Sequence, residues 1–175
     1  MSGPALKQLH AHRAIHDAAH GEAEELTGVF RRFVEEGRWQ QARETAALVV
    51  EHWHTRTLRH AAEEESGFYR EVAQQDPDRA GDIGALTRDH DLMRQLVAEA
   101  EARLADVMPL ASPRGESSEP VEAFREIALR FEMLLWLVER HSREEEKRLL
   151  ESPRETQRSR AVPQGEERSG AHGLG

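Results

Sequence analysis

Cysteine is absent from the 175 residues of this sequence. Its absence excludes disulfides, thiolate metal sites, iron–sulfur clusters and a cysteine nucleophile, and it suits a reducing interior. Aromatic residues are few, with five Phe, three Trp and one Tyr. Long hydrophobic runs are also missing. The most apolar stretch, 133–138, is bracketed by Glu132 and Glu139, well short of the roughly 20 residues a membrane-spanning helix requires. Residues 1–9 lack the apolar segment of a secretory signal. Positive charge is in deficit, with 24 Lys and Arg against 33 Asp and Glu and a formal net charge of −9. That balance argues against a nucleic-acid footprint, which rests on clustered cations. A phosphate loop, a dinucleotide glycine fingerprint and a His-Glu-x-x-His motif are all lacking, and no serine sits in an elbow-like context. These absences predict a soluble, cytoplasmic protein that engages neither nucleic acid nor membrane, and they leave any protein partner unknown.

Histidine is what the chain has in excess, with ten residues. Without cysteine, that enrichment leaves metal sites built from nitrogen and oxygen ligands as the main chemical possibility.

Apolar residues recur at helical spacing throughout. A first helix is predicted over 4–36, with Leu26, Phe30, Phe33 and Val34 at i, i+4, i+7 and i+8, closed by Gly37. A second spans 38–74 and carries Val49, Val50, Trp53, Thr57 and Phe68, with Gly67 marking a local irregularity. Asp76-Pro77-Asp78 stops it, because proline disfavours the helical region for the residue before it. The third covers 79–107, with Ile83, Leu86, Met93, Leu96, Val97 and Leu104 inward and a break expected near Gly81 and Gly84. Residues 109–120 read as a loop. The fourth helix covers 119–150, with Phe124, Ile127, Phe131, Leu134, Leu135, Leu137 and Val138 apolar. From Ser152 onward there is almost nothing to bury, so residues 1–151 form one domain and 152–175 a disordered tail. Four amphipathic helices joined mostly by short turns predict an all-α, antiparallel up-down-up-down four-helix bundle.

Two segments repeat. His60 and His141 each begin a His-x-x-x-Glu-Glu pattern followed by two apolar residues, which makes Glu64 and Glu145 the i+4 partners. That spacing puts both side chains on one helix face, roughly 5–6 Å apart at Cβ. Both histidines extend apolar stripes, through Leu137, Leu134 and Phe131 in one case and Thr57, Trp53 and Val50 in the other. On the third helix His90 continues the stripe of Ile83, Leu86, Met93 and Val97. On the first, His12, His16 and His20 follow at four-residue steps. His20 is the leading candidate there, because Ala23, Leu26 and Phe30 follow it at the offsets at which Met93, Leu96 and Ala100 follow His90. His16, one turn earlier, comes next. His52 and His54 lie about 80° and 120° from the direction of His60 and read as surface or supporting residues. A lone histidine on an apolar face is more often a hydrogen-bonded core residue, and runs such as Glu63 to Glu65 and Glu144 to Glu146 are more often solvated. The coincidence of inward histidine on four helices with glutamate at i+4 on two changes that balance. Burying such groups unpaired costs several kcal/mol, which a metal offsets.

These residues resemble the hemerythrin-like, or HHE cation-binding, family over about residues 10–150, through the doubled His-x-x-x-Glu-Glu and the isolated helical histidines His20 and His90. The resemblance implies a four-helix bundle around two carboxylate-bridged non-haem irons, with O2 or an oxo or hydroxo bridge as a further ligand. Family members bind O2 reversibly, sense iron, oxygen or redox state, or act in nitric-oxide and peroxide responses. By motif, His60, His90 and His141 match terminal ligands, and Glu64 and Glu145 match carboxylates that can bridge. Hemerythrins proper carry a His-x-x-x-His pair on helix three and a longer His-to-Asp spacing on helix four. Here position 86 is Leu and position 94 is Arg, and the nearest equivalent pair is His16 with His20 on helix one. Glu146 fits the longer spacing and Glu145 the internal repeat, while His12 and Glu24 stay open as additional members. The expectation is a di-iron protein that binds or senses O2 or redox state. A di-iron oxidase or peroxidase and a metal-free helical interaction module are the alternatives. The Glu-x-x-His spacing of ferritin-like oxidases occurs at Glu51 and His54, off the core face.

Overall fold

The structure, a computed structural model, describes residues 9–107 and 121–150. Four long helices make up nearly all of it, and there is no strand among the described residues. Residues 1–8, 108–120 and 151–175 lie outside the described residues, and with them the first turns expected for helices one and four, the expected loop and the expected tail.

Helix α1 is Leu9–Glu35. It ends at Gly37, whose φ of 67° is the left-handed conformation a side chain would strain. There the Arg38 amide donates to Phe33 O at 2.9 Å and the Gly37 amide to Val34 O at 3.2 Å, which satisfies carbonyls that the helix end leaves open. Helix α2 follows over 39–75 in unbroken succession: α-helical Trp39–His52, a π turn Trp53–Leu58, α-helical Arg59–Glu63, a second π turn Glu64–Phe68 and α-helical Tyr69–Gln75. The second π turn contains Gly67, where an irregularity was expected. The first has no such marker in the sequence. Asp76 accepts the Asp78 amide at 3.2 Å and opens a 3-10 turn, Pro77–Arg79, into α3, Ala80–Val107. Gly81 and Gly84 do not break α3, contrary to the expectation. Helix α4 covers 121–150, α-helical over Val121–Glu145 and closed by a π turn, Glu146–Leu150.

Cross-helix pairs fix the topology. Arg130 reaches Glu99 at 3.1 Å and Arg140 reaches Asp89 at 2.6 Å, so α3 and α4 run antiparallel. His52 donates to Ala19 O at 2.9 Å while His60 meets His16, which sets α1 against α2 in opposite directions. His54 to Glu101 and Glu65 to Arg94 do the same for α2 and α3. Arg31 to Glu132 and Arg13 to Glu146 close the ring between α1 and α4.

The interior is layered along the bundle axis. The main apolar core fills the half nearer Gly37. There Phe30 meets Phe131 and Phe124 edge-on at ring separations of 5.5 and 6.1 Å, and Trp53, Met93, Leu134 and Leu137 continue it inward. A smaller cluster of Phe68, Tyr69 and Leu86 caps the other end. Between them lies a buried layer of His12, His16, Glu64, His90, His141 and Glu145. No helix among the described residues is long and apolar enough to cross a membrane.

Candidate metal centre

Each run of three glutamates divides into three directions, because successive residues on a helix point about 100° apart. In α2, Glu63 faces solvent, Glu64 is 1 % exposed and points into the bundle, and Glu65 turns toward α3. In α4, Glu144 pairs with Arg148, Glu145 is fully buried among the histidines, and Glu146 pairs with Arg13 of α1. Glu145, the residue the internal repeat favours, is thus the one in the layer. Glu146, at the longer spacing, anchors α4 to α1 instead.

Glu64 sits between two groups of nitrogens. Its Oε1 lies 2.8 Å from His60 Nε2, 3.0 Å from His12 Nε2 and 3.5 Å from His16 Nε2. Its Oε2 faces the other way, 3.4 Å from His90 Nε2. Glu145 Oε2 approaches His12, His16 and His141 Nε2 at 3.1, 3.6 and 3.8 Å. Two sets of side chains are thereby brought close enough to hold one cation each, His12, His16, His60 and Glu64 in one and Glu64, His90 and His141 in the other. Glu64 belongs to both.

Three observations fit these residues to metal. First, Glu64 Oε2 and both Glu145 oxygens are buried without a hydrogen bond among the described residues, and a buried polar atom left so costs free energy that a bound cation would offset. Second, ring nitrogens meet ring nitrogens: His90 and His141 Nε2 are 3.0 Å apart, and His16 and His60 Nε2 are 3.1 Å apart. Adjacent ligands of one ion sit about 3.0 Å apart when their bonds are ~2.1 Å and at right angles. Third, outer partners fix the tautomers. His90 Nδ1 donates to Glu65 Oε1 at 2.8 Å, and His16 Nδ1 to Ser142 Oγ at 2.6 Å while that hydroxyl donates to Val138 O. Asp89 Oδ2 lies 3.6 Å from His141 Nδ1. A proton on Nδ1 leaves the Nε2 lone pair facing the centre, as a ligating imidazole requires. Arg94 and Arg140 in turn hold Glu65 and Asp89.

The electrostatics agree. Burial opposes a charge on His12, but the Glu145 and Glu64 carboxylates outweigh it and push its pKa up to about 9. Burial, joined by the charge on His12, drives His16 down against the pull of Glu64 and Glu145. Glu64 is held well below the usual carboxylate range, against its burial, by His12, His16, His60 and His90. Burial, then Glu145 and Glu64, raise the Tyr69 phenol, so it stays protonated beside the layer with its ring stacked on His90 at 5.7 Å. Without metal, the His12 proton compensates charge that a bound cation would otherwise neutralise.

The structure brings together His16, His60, Glu64, His90, His141 and Glu145 from the expected set, and it does not bring in His20. Between His16 and Ala23 lies Ala19, half-buried beside the gap between α1 and α2, whose carbonyl takes the His52 hydrogen bond. His20, one residue on, is rotated about 100° from it and is only half-buried. The stripe that pointed to His20 ran through Leu26, which is itself half-buried. The buried stripe runs through His12, His16, Ala23, Thr27 and Phe30. His12 takes the place given to His20, and a signal for it exists: 18 residues, five full turns, separate it from Phe30. Glu24 is exposed. Of the other histidines, His52 is buried as a tie to α1, His54 is exposed against Glu101, and His172 lies outside the described residues. Tyr69, Glu65 and Asp89 escaped the sequence reading, because nothing in an acidic, polar chain separates them from surface residues.

Glu65→Gln is expected to weaken metal binding by roughly 10–100-fold, the range for outer partners of ligating histidines. Competition against a chelator measures it, and an unchanged constant would remove Glu65 from this role.

The fold and the layer define a four-helix bundle with a buried histidine–carboxylate centre. The sequence matches the hemerythrin HHE cation-binding domain over residues 11–152, so the chain belongs to that family of cation-binding domains. No curated protein and no solved structure matches it.

Proposed function

We propose that this protein holds two non-haem irons in the layer and binds or senses O2 there. The observation that carries the proposal is the placement of Glu64, with one oxygen toward His12, His16 and His60 and the other toward His90. A carboxylate so placed suits bridging between two ions. Imidazole donors suit iron among other transition metals, and carboxylates would balance the charge of two ferrous ions.

His12, His16 and His60 would hold one ion and His90 with His141 the other, with Glu64 and Glu145 shared between them. Bound ferrous iron would supply the electrons that O2 chemistry requires. The chain's own residues set the conditions. Trp53, Leu86, Leu134 and Leu137 wall the layer against water on its closed sides. Tyr69 Oη keeps a proton beside Glu145, and Arg140 with Asp89 steadies His141 from outside the layer.

Titration of metal-stripped protein with ferrous iron under argon should saturate at two equivalents, and exposure to O2 should produce a visible charge-transfer band. Saturation at one equivalent, or zinc retained in preference with no such band, would overturn the di-iron reading.

A further inference from the structure

A cavity of about 450 Å3 opens between α1 and α2 and runs to the layer. Its floor is His16, His60, Glu64, His90 and His141, while Met93 and Val138 form its inner wall. The α1 side is lined by Ala14 and Ala18 and by Ile15 and Ala19, two pairs at i,i+4 spacing. Three of those four are alanines, so α1 leaves room where larger side chains would close the gap. Ile15 keeps 37 % of its surface exposed along this opening. At the rim, Arg56 pairs with Glu22 across the gap at 3.5 Å and Arg59 with Glu63 at 3.9 Å, so the entrance is charge-balanced.

The volume decides what the space is for. A diatomic ligand needs about the 30 Å3 of a water molecule, and two ions with a bridging oxygen about three times that. Roughly 350 Å3 of the cavity is then left over, within the ~300–1,000 Å3 of small-molecule sites. Access is one-sided: His60 is 13 % exposed by its side chain, whereas His12 and Glu145 are sealed at 0 %. Glu64 Oε2, buried and without a hydrogen bond, belongs to a residue of the floor.

We propose that this groove is a binding pocket for a small organic molecule with a short aliphatic body and one oxygen-donor head. The head lies on the floor and the body along the wall of Ala14, Ile15, Ala18, Met93 and Val138. Because the rim is charge-balanced, the ligand is chosen by the length and shape of its apolar part. The proposal rests on the metal reading of the floor, since a carboxylate or hydroperoxide head needs a cation to meet it beside Glu64.

The test uses the metal-loaded protein, with formate, butyrate and hexanoate as probes, read by calorimetry and by the visible band of the centre. Hexanoate is expected to bind about tenfold more tightly than formate or better, as burial of several methylenes allows. Ala18→Phe, at an exposed helix position where the larger side chain leaves the core untouched, should abolish that preference while formate binding and metal content persist. Protein that retains its metal yet shows no chain-length preference, or keeps the preference in Ala18→Phe, overturns the pocket alone. Protein that retains no metal overturns both readings together. Butyl hydroperoxide and butanol, run alongside, distinguish the head groups.

Discussion

Glu64→Gln is expected to lower metal affinity by more than about 100-fold, beyond the roughly 10–100-fold that outer partners contribute. Glutamine keeps the shape and removes the charge. Glu64 is the one residue common to both candidate groups, so its neutralisation should act on both candidate cation positions at once. A residue serving only one group should leave one equivalent bound when replaced, as with His141→Ala. His20→Ala supplies the control, since its side chain lies outside the layer and metal content should not change. Metal analysis of protein purified without a histidine tag, with circular dichroism to verify folding, gives the comparison. Two equivalents retained by folded Glu64→Gln would exclude the bridging role.

The metal-free protein should lose stability as pH rises from about 6.5 through about 9. His12 is raised from its ordinary 6.5 to about 9 in the folded state, so across that window the folded chain holds a proton that the unfolded chain has released. Its contribution is therefore complete below 6.5 and lost above about 9, with an upper size of roughly 3 kcal/mol. His90, raised against its burial by Glu64 and then Glu65, acts in the same sense. His16, lowered by burial, acts below its ordinary value and leaves the window untouched. On the acid side the sign reverses. Glu64 stabilises above the ordinary carboxylate range, and that contribution disappears as pH falls through its depressed value. Urea midpoints measured between about pH 6 and pH 10 should fall steadily in stripped protein, and His12→Gln should flatten the curve. Metal should flatten it too, because a cation replaces the proton, which binding then releases to solvent. A midpoint that rises with pH in the stripped protein would contradict the charge assignment of His12.

Much of this architecture could be read before any coordinates. The helices follow from apolar spacing, and Gly37 and Asp76-Pro77 punctuate them within a residue or two. His60, His90 and His141 sit on unbroken apolar stripes, so their inward orientation was legible. Helix α1 was harder, because its buried stripe contains Ala23 and Thr27, small or polar residues that carry little hydrophobic signal. A partly exposed Leu26 then drew the stripe toward His20. The choice between Glu145 and Glu146 was also not fixed by periodicity alone, since it depends on Arg13 arriving from another helix to take the second carboxylate. Glu65 and Asp89 are of the same kind. Their roles come from what faces them across the bundle, which no single helix encodes.

The layering of the interior has one more consequence. The aromatic core near Gly37 is held by desolvation and owes nothing to a cation, whereas the far half of the bundle is organised around groups that need one. Leu9, the first described residue, and Leu150, the last, both belong to that far half. The two described ends of the bundle therefore lie beside the buried charged layer, while the opposite end rests on apolar packing alone.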